Sequence, residues 1–152
     1  MNLMPLPLLV IIPMLVGLTG QLLKFLVKWL TKSNNEVHNM FSYGGAPSTH
    51  TALVVAVTTV IGLQEGVYSP AFGLSLVLGF LVMRDAVGLR NYVNKNVHDI
   101  QRLVNYETPA RQKEFTELHV TVGHTRAEVA LGVLVGIVFT WFYWYLFTGS
   151  VL

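Results

Sequence analysis

The sequence predicts an all-α integral membrane protein: a bundle of about four transmembrane helices with one cytosolic amphipathic helix. Three observations predict it. Hydrophobic residues make up 53% of the 152 residues and charged residues only 12%, about half the roughly 25% usual for a soluble domain. Four apolar stretches, residues 6–30, 49–64, 70–89 and 125–148, approach the ~20 residues that a spanning helix needs. All ten lysines and arginines lie in or beside two of the three linkers, the asymmetry expected when basic loops stay in the cytoplasm.

The first stretch begins with Pro5, Pro7 and Pro13 and ends with Lys24 and Lys28, one turn apart on one helix face. It lacks the basic lead and small-residue cleavage site of a secretory signal, so it reads as a retained helix. The second stretch is short and follows YGGAPSTH at residues 43–50. There Ser48 or Thr49 offers a hydroxyl cap for the helix. Pro70 opens the third stretch. The fourth carries Gly132 and Gly136, a small-xxx-small face for close helix packing. It ends in Trp141, Phe142, Tyr143, Trp144 and Tyr145, aromatics suited to a membrane interface.

Between the third and fourth stretches lies a polar excursion, residues 90–124. Within it Val93, Val97, Ile100 and Val104 recur at spacings of 4, 3 and 4, one face of a helix that Pro109 would end. A place on the membrane surface and docking onto the protein fit this amphipathic helix equally well. The chain reads as one membrane-embedded domain, 1–152. The charge split puts the first and third linkers in the cytosol and both termini outside. The absence of cysteine excludes disulfides and thiolate chemistry.

This topology delivers unusual polar groups to one layer. Lys24 and Lys28 close the first helix, Gly44 to His50 open the second, Arg84, Asp85 and Arg90 end the third, and His124 and Glu128 open the fourth. Ionisable groups at membrane depth are costly and usually mark a site. Each has a plain reading. Ser48 or Thr49 caps a helix, Thr125 to Glu128 spells a capping box, Arg84 and Asp85 pair, and the lysines snorkel to headgroups. A functional reading takes them together. Gly44 and Gly45 let backbone amides turn to an anion at a helix start. His124 and Glu128 are four apart, so the carboxylate can fix the imidazole tautomer. The pair could also ligate a metal with His119 or Asp85, although the surrounding cations oppose one.

Two histidines, one backed by a carboxylate, with cations and an amide cradle, suit phosphoryl transfer. One imidazole attacks phosphorus and the other protonates the leaving oxygen. A nitrogen nucleophile needs no metal, so no cofactor is expected. The catalytic candidates are His124, His50 and Glu128. The phosphate-binding candidates are Lys24, Lys28, Gly45, Ser48, Thr49, Arg84, Asp85 and Arg90.

Through these residues the chain resembles the type 2 phosphatidic acid phosphatase and vanadium haloperoxidase superfamily. It is most similar to a divergent branch of small membrane proteins. The branch motifs GGMPSSHSA, RDAxGVR and GHTxxEV stand here as GGAPSTHTA, RDAVGLR and GHTRAEV. The resemblance implies a helical bundle with the site at one membrane face. It implies His124 as the nucleophile of a phosphohistidine, Glu128 as its orienting acid and His50 as general acid. Ser48, nearby amides, Lys24 and an arginine would hold the phosphate. The superfamily's K-x6-R-P motif is absent, and Leu118 stands where its arginine precedes the nucleophile. Lys24 or Lys28, and Arg84 or Arg90, would replace those groups. Four spans are fewer than the superfamily's usual six, so a homodimer would complete the bundle.

The expected function is metal-free hydrolysis of a lipid phosphate or pyrophosphate in a bacterial plasma membrane or an organelle membrane. The alternatives are a phospholipid-headgroup binding or transport protein and a scaffold without a ligand. Membrane lipids are expected partners and nucleic acid is not.

Overall fold

In a computed structural model, residues 6–30, 46–106 and 124–149 are described. Among these residues there are five helices and no strand: α1 (Leu6–Leu30), α2 (Thr49–Glu65), α3 (Pro70–Val87), α4 (Leu89–Val104) and α5 (Arg126–Thr148). The apolar periodicity set these bounds closely. One difference is the end of the third stretch, which stops at Val87 because Gly88 interrupts the helix. Another is α4, which closes at Val104 and Asn105 without reaching Pro109, a residue outside the described set.

Helix α2 is the centre. It packs against α1, α3 and α5, and α1 also meets α5. No α2 residue from Thr51 to Gln64 is exposed. The outer helices turn Leu18, Leu22, Leu74, Phe80, Leu134 and Phe142 outward, an apolar coat suited to lipid. Three helices, α1, α3 and α5, are long and apolar enough to cross a membrane. The fourth expected span, α2, has 17 residues. At 1.5 Å per residue that is about 25 Å, short of the ~30 Å hydrocarbon core.

Local chemistry explains the ends and the polar interior. Pro13 lies inside α1, where packing against neighbouring helices tolerates the lost backbone donor. Ser69 Oγ caps α3 by accepting the Phe72 N–H at 3.2 Å, with Pro70 beside it. Thr58 and Thr59 of α2 donate to the Val54 and Val55 carbonyls at 3.0 and 2.8 Å. Their hydroxyls are thus satisfied within the helix and ask nothing of its neighbours.

The core gathers Ile12 and Val16 of α1, Ala52, Ala56 and Val60 of α2, and Trp144 of α5. Trp144 therefore departs from the expected interfacial cluster, and Tyr143 joins α1 through a 2.8 Å hydrogen bond between its hydroxyl and Thr19 Oγ1. Phe142 and Tyr145 remain exposed. The expected small-residue face of α5 meets α2. A Cβ on Gly132 would stand 2.6 Å from the Ser48 carbonyl oxygen, and one on Gly136 would stand 2.8 Å from Val55 Cβ and 2.9 Å from the Ala52 oxygen. Neither backbone oxygen is the free end of a flexible side chain, so the helices themselves must separate to admit a methyl group.

Overpacking of this kind costs about 1–3 kcal/mol. Gly132→Ala and Gly136→Ala should each lower the thermal midpoint of the detergent-solubilised protein by several degrees. Gly73→Ala on α3, where a Cβ meets nothing within 4 Å, should leave it unchanged.

Candidate functional site

Four chain segments meet at one end of the bundle, and three hydrogen bonds fasten them. Ser48 N–H donates to the Glu128 carbonyl at 3.0 Å and His124 N–H to the Ala86 carbonyl at 3.1 Å. Thr49 Oγ1 donates to Gln21 Oε1 at 3.1 Å. The end of α1, the start of α2, the end of α3 and the start of α5 are thereby joined. These are the same four helix ends that the sequence assigned to one layer.

His124 precedes the α5 cap and is 5% exposed. Its Nδ1 lies 3.2 Å from Glu128 Oε2. An ionised carboxylate accepts only, so this contact calls for an N–H at Nδ1 and turns Nε2 away from Glu128. The same Oε2 accepts the Thr125 N–H at 2.8 Å, while Thr125 Oγ1 accepts the Glu128 N–H at 3.2 Å. The capping box and the His–Glu pair were alternatives in the sequence. In the structure one carboxylate makes both.

The start of α2 differs from the expected cap. Ser48 occupies the N-cap position, yet its side chain makes no capping bond. Instead Ser48 Oγ accepts the Thr51 hydroxyl at 2.9 Å. Ser48 is fully buried, and its hydroxyl proton has no acceptor among the described residues. Thr49 is likewise turned away from capping, toward Gln21. The loop is held instead by the Ser48 backbone bond to α5, which frees both hydroxyls from the helix end.

Lys24 lies on the stripe of α1 that faces α2. One turn earlier on that stripe, Gly20 approaches Thr49, with a built Cβ 3.6 Å from Thr49 Cγ2. Lys24 is therefore one turn beyond Thr49, toward the mouth of α2, and is 8% exposed. Among the described residues Lys24 and His124 are the buried basic side chains. His50 is exposed and sits one turn before Val54, on the stripe that meets Gly79 of α3. Both histidines thus border the end of α3: His124 by its backbone bond, His50 by its place on α2.

The remaining candidates divide. Asp85 is half-buried beside Ala86. Arg84 is exposed and stands two positions before Ala86, so it lies across α3 from the packed face of Ser75, Gly79 and Ala86. The structure does not bring it into this cluster. The backbones of Lys28 and Arg90 belong to α1 and α4, but their side chains lie outside the described set, as do Gly45 and His119. Among the described residues no three His, Asp or Glu side chains converge as metal ligands.

The sequence reading missed Gln21, Thr51 and the Ala86 carbonyl. Gln21 carried a signal, since an amide within an apolar span is costly unless paired. The backbone carbonyl of Ala86 carries none.

The divergent PAP2 family profile matches residues 7–139. The uncharacterized membrane protein YuiD of Bacillus subtilis (strain 168) is 30% identical over 132 residues, covering 80% of this chain and 84% of that protein. No solved structure matches. With its motifs gathered at one end of a membrane bundle and the profile spanning most of its length, the chain belongs to the divergent PAP2 family.

Proposed function

We propose that the protein is a metal-independent membrane phosphatase acting on a lipid phosphate or pyrophosphate. The observation that carries this reading is His124: buried, fixed to α3 by its backbone, and held at Nδ1 by a capped carboxylate. In the proposed reaction His124 Nε2 attacks phosphorus, forming a P–N bond as the P–O bond to the lipid breaks. His50 donates the proton that the leaving oxygen takes. Water then attacks the phosphohistidine, and His50 accepts its proton, which regenerates the imidazole and releases phosphate. Glu128 supports the positive charge that develops on the ring. Lys24 and the Ser48 hydroxyl hold the equatorial oxygens. Thr49, Lys28, Gly45, Asp85 and Arg90 complete the proposed phosphate surroundings.

A membrane-level site suits a substrate whose tail stays in lipid. The concentration of basic residues in the linkers at this end supports a cytosolic side for it. Arg84 supports a second reading. With that arginine facing away, the described part of the pocket has fewer cations than the superfamily pattern, and such a pocket could hold a headgroup without cleaving it.

Phosphate release from a panel of lipid phosphates and pyrophosphates in the presence of chelator tests the first reading. His124→Ala and His50→Ala should each lower release at least about a hundredfold while the protein remains folded. Vanadate, a five-coordinate phosphorus mimic, should inhibit. Saturable phospholipid binding with no release from any member of the panel would select the second reading.

The two jobs of Glu128 are separable. Glu128→Gln retains an oxygen for the Thr125 N–H but no charge for the imidazolium. It should hold the thermal midpoint and lower turnover about a hundredfold or more. Thr125→Ala should do the reverse, costing about 1 kcal/mol of stability with turnover within about tenfold of the parent.

Side assignment is tested in intact cells with single cysteines in this cysteine-free chain. A Tyr68→Cys variant, in the fully exposed turn between α2 and α3, should react with an impermeant maleimide added outside. A His98→Cys variant on α4 should react only after the cells are opened.

A further inference from the structure

Helix α4 carries an apolar stripe that the other described residues leave largely exposed. Val93, Val97, Ile100 and Leu103 share one face; Val93 and Ile100 are exposed, Val97 is half-buried, and Leu103 is 69% exposed. Lys95, His98, Asp99 and Arg102 occupy the opposite face and line a shallow open groove. Exposed tyrosines, Tyr92 and Tyr106, stand toward the two ends. Among the described residues the helix packs substantially only against α3.

The covering partner is indicated by what precedes α4. Helix α3 crosses the membrane and ends at Val87; α4 begins at Leu89, with Gly88 alone between them. Gly88 N–H still donates to the Arg84 carbonyl at 2.8 Å, and Tyr92 N–H donates to the Gly88 carbonyl at 3.2 Å. These bonds tie the first turn of α4 to the last turn of α3, which on the membrane reading ends at the edge of the bilayer. An apolar stripe that starts there continues the lipid-facing surface of α3. A helix with such a stripe, a strongly polar opposite face and tyrosines at the headgroup level has the composition of an interfacial helix. Its described charges are Lys95 and Arg102 against Asp99, and the Asp99–Arg102 pair is loose at 3.8 Å and exposed. The balance is positive, which complements anionic lipid.

We propose that α4 is an interfacial helix that docks its Val93–Val97–Ile100–Leu103 stripe onto an anionic lipid surface beside the bundle. This inference needs only the membrane assignment and stands whether or not the site hydrolyses a lipid.

The test uses the full-length protein in nanodiscs, with an environment-sensitive fluorophore on Val97→Cys, Ile100→Cys or His98→Cys. In discs containing phosphatidylglycerol, the Val97 and Ile100 probes should be blue-shifted and quenched by a lipid-borne nitroxide. The His98 probe should be quenched from water by iodide. In zwitterionic discs lipid quenching at Val97 should fall. Lys95→Gln with Arg102→Gln should lower docking in anionic discs about fivefold per charge removed. Iodide quenching of all three probes would overturn docking. A blue-shifted Val97 probe that neither quencher reaches would overturn it too, because protein, either a second copy or residues 107–123, would then cover the stripe. Equal lipid quenching in both disc types, unchanged by the double substitution, would overturn the anionic preference.

Discussion

The site depends on one backbone hydrogen bond, from Ser48 N–H to the Glu128 carbonyl, where α2 and α5 approach closely beside Gly132. A polar backbone group left alone at membrane depth costs several kcal/mol, far more than the ~1 kcal/mol of an ordinary helix cap. The larger penalty wins. The chain before α2 is therefore positioned by α5 rather than by its own hydroxyls, and Gly132 is the residue that permits the approach. Once Ser48 is set, Thr51 and Ala52 face α5, Thr49 faces Gln21, and Val54 faces α3. The angular positions of all groups around the mouth of α2 follow from that register.

The remaining polar groups of the bundle obey the same economy. Thr19, Ser75, Thr140 and Thr148 donate to carbonyls of their own helices. These serines and threonines ask little of neighbouring helices, so the interior packs by shape. Gln64 is the exception: its Oε1 is buried without a partner among the described residues. It lies toward the end of α2 remote from His124. The polar groups that do reach between helices, Gln21 with Thr49 and Thr19 with Tyr143, tie α1 to the site and to α5.

Much of this was legible because hydrophobic length and charge placement are local in sequence. The bounds of α1, α2 and α5 follow from where apolar runs begin and end, and the convergence of their ends follows from alternating direction. His124 and Glu128 were legible because four residues is one helical turn. The role of Ser48 was not, since a serine before a helix has the same spelling whether its oxygen caps or accepts from Thr51. Arg84 shows a related limit. Sequence places it at the correct depth, but which side of α3 faces the bundle is decided by Ser75, Gly79 and Ala86, whose small size matters only once α2 is beside them. Trp144 shows another: aromatic residues signal an interface by type, yet each step along a helix turns about 100°, and that rotation carries Trp144 inward.

Glu128 has a further consequence. The Glu128 side chain is long enough to satisfy the amide at the start of α5 and still lie against the imidazole. Selection for folding alone would preserve it. A relative that had abandoned catalysis would keep this acid for architectural reasons, so its retention says nothing about whether that relative is active. His124 is different: its backbone N–H does the fastening, a bond any residue but proline can supply, so the fold asks less of the imidazole than the proposed reaction does. On the proposed reaction, loss of the imidazole with the glutamate intact would mark a relative that keeps the architecture without the chemistry.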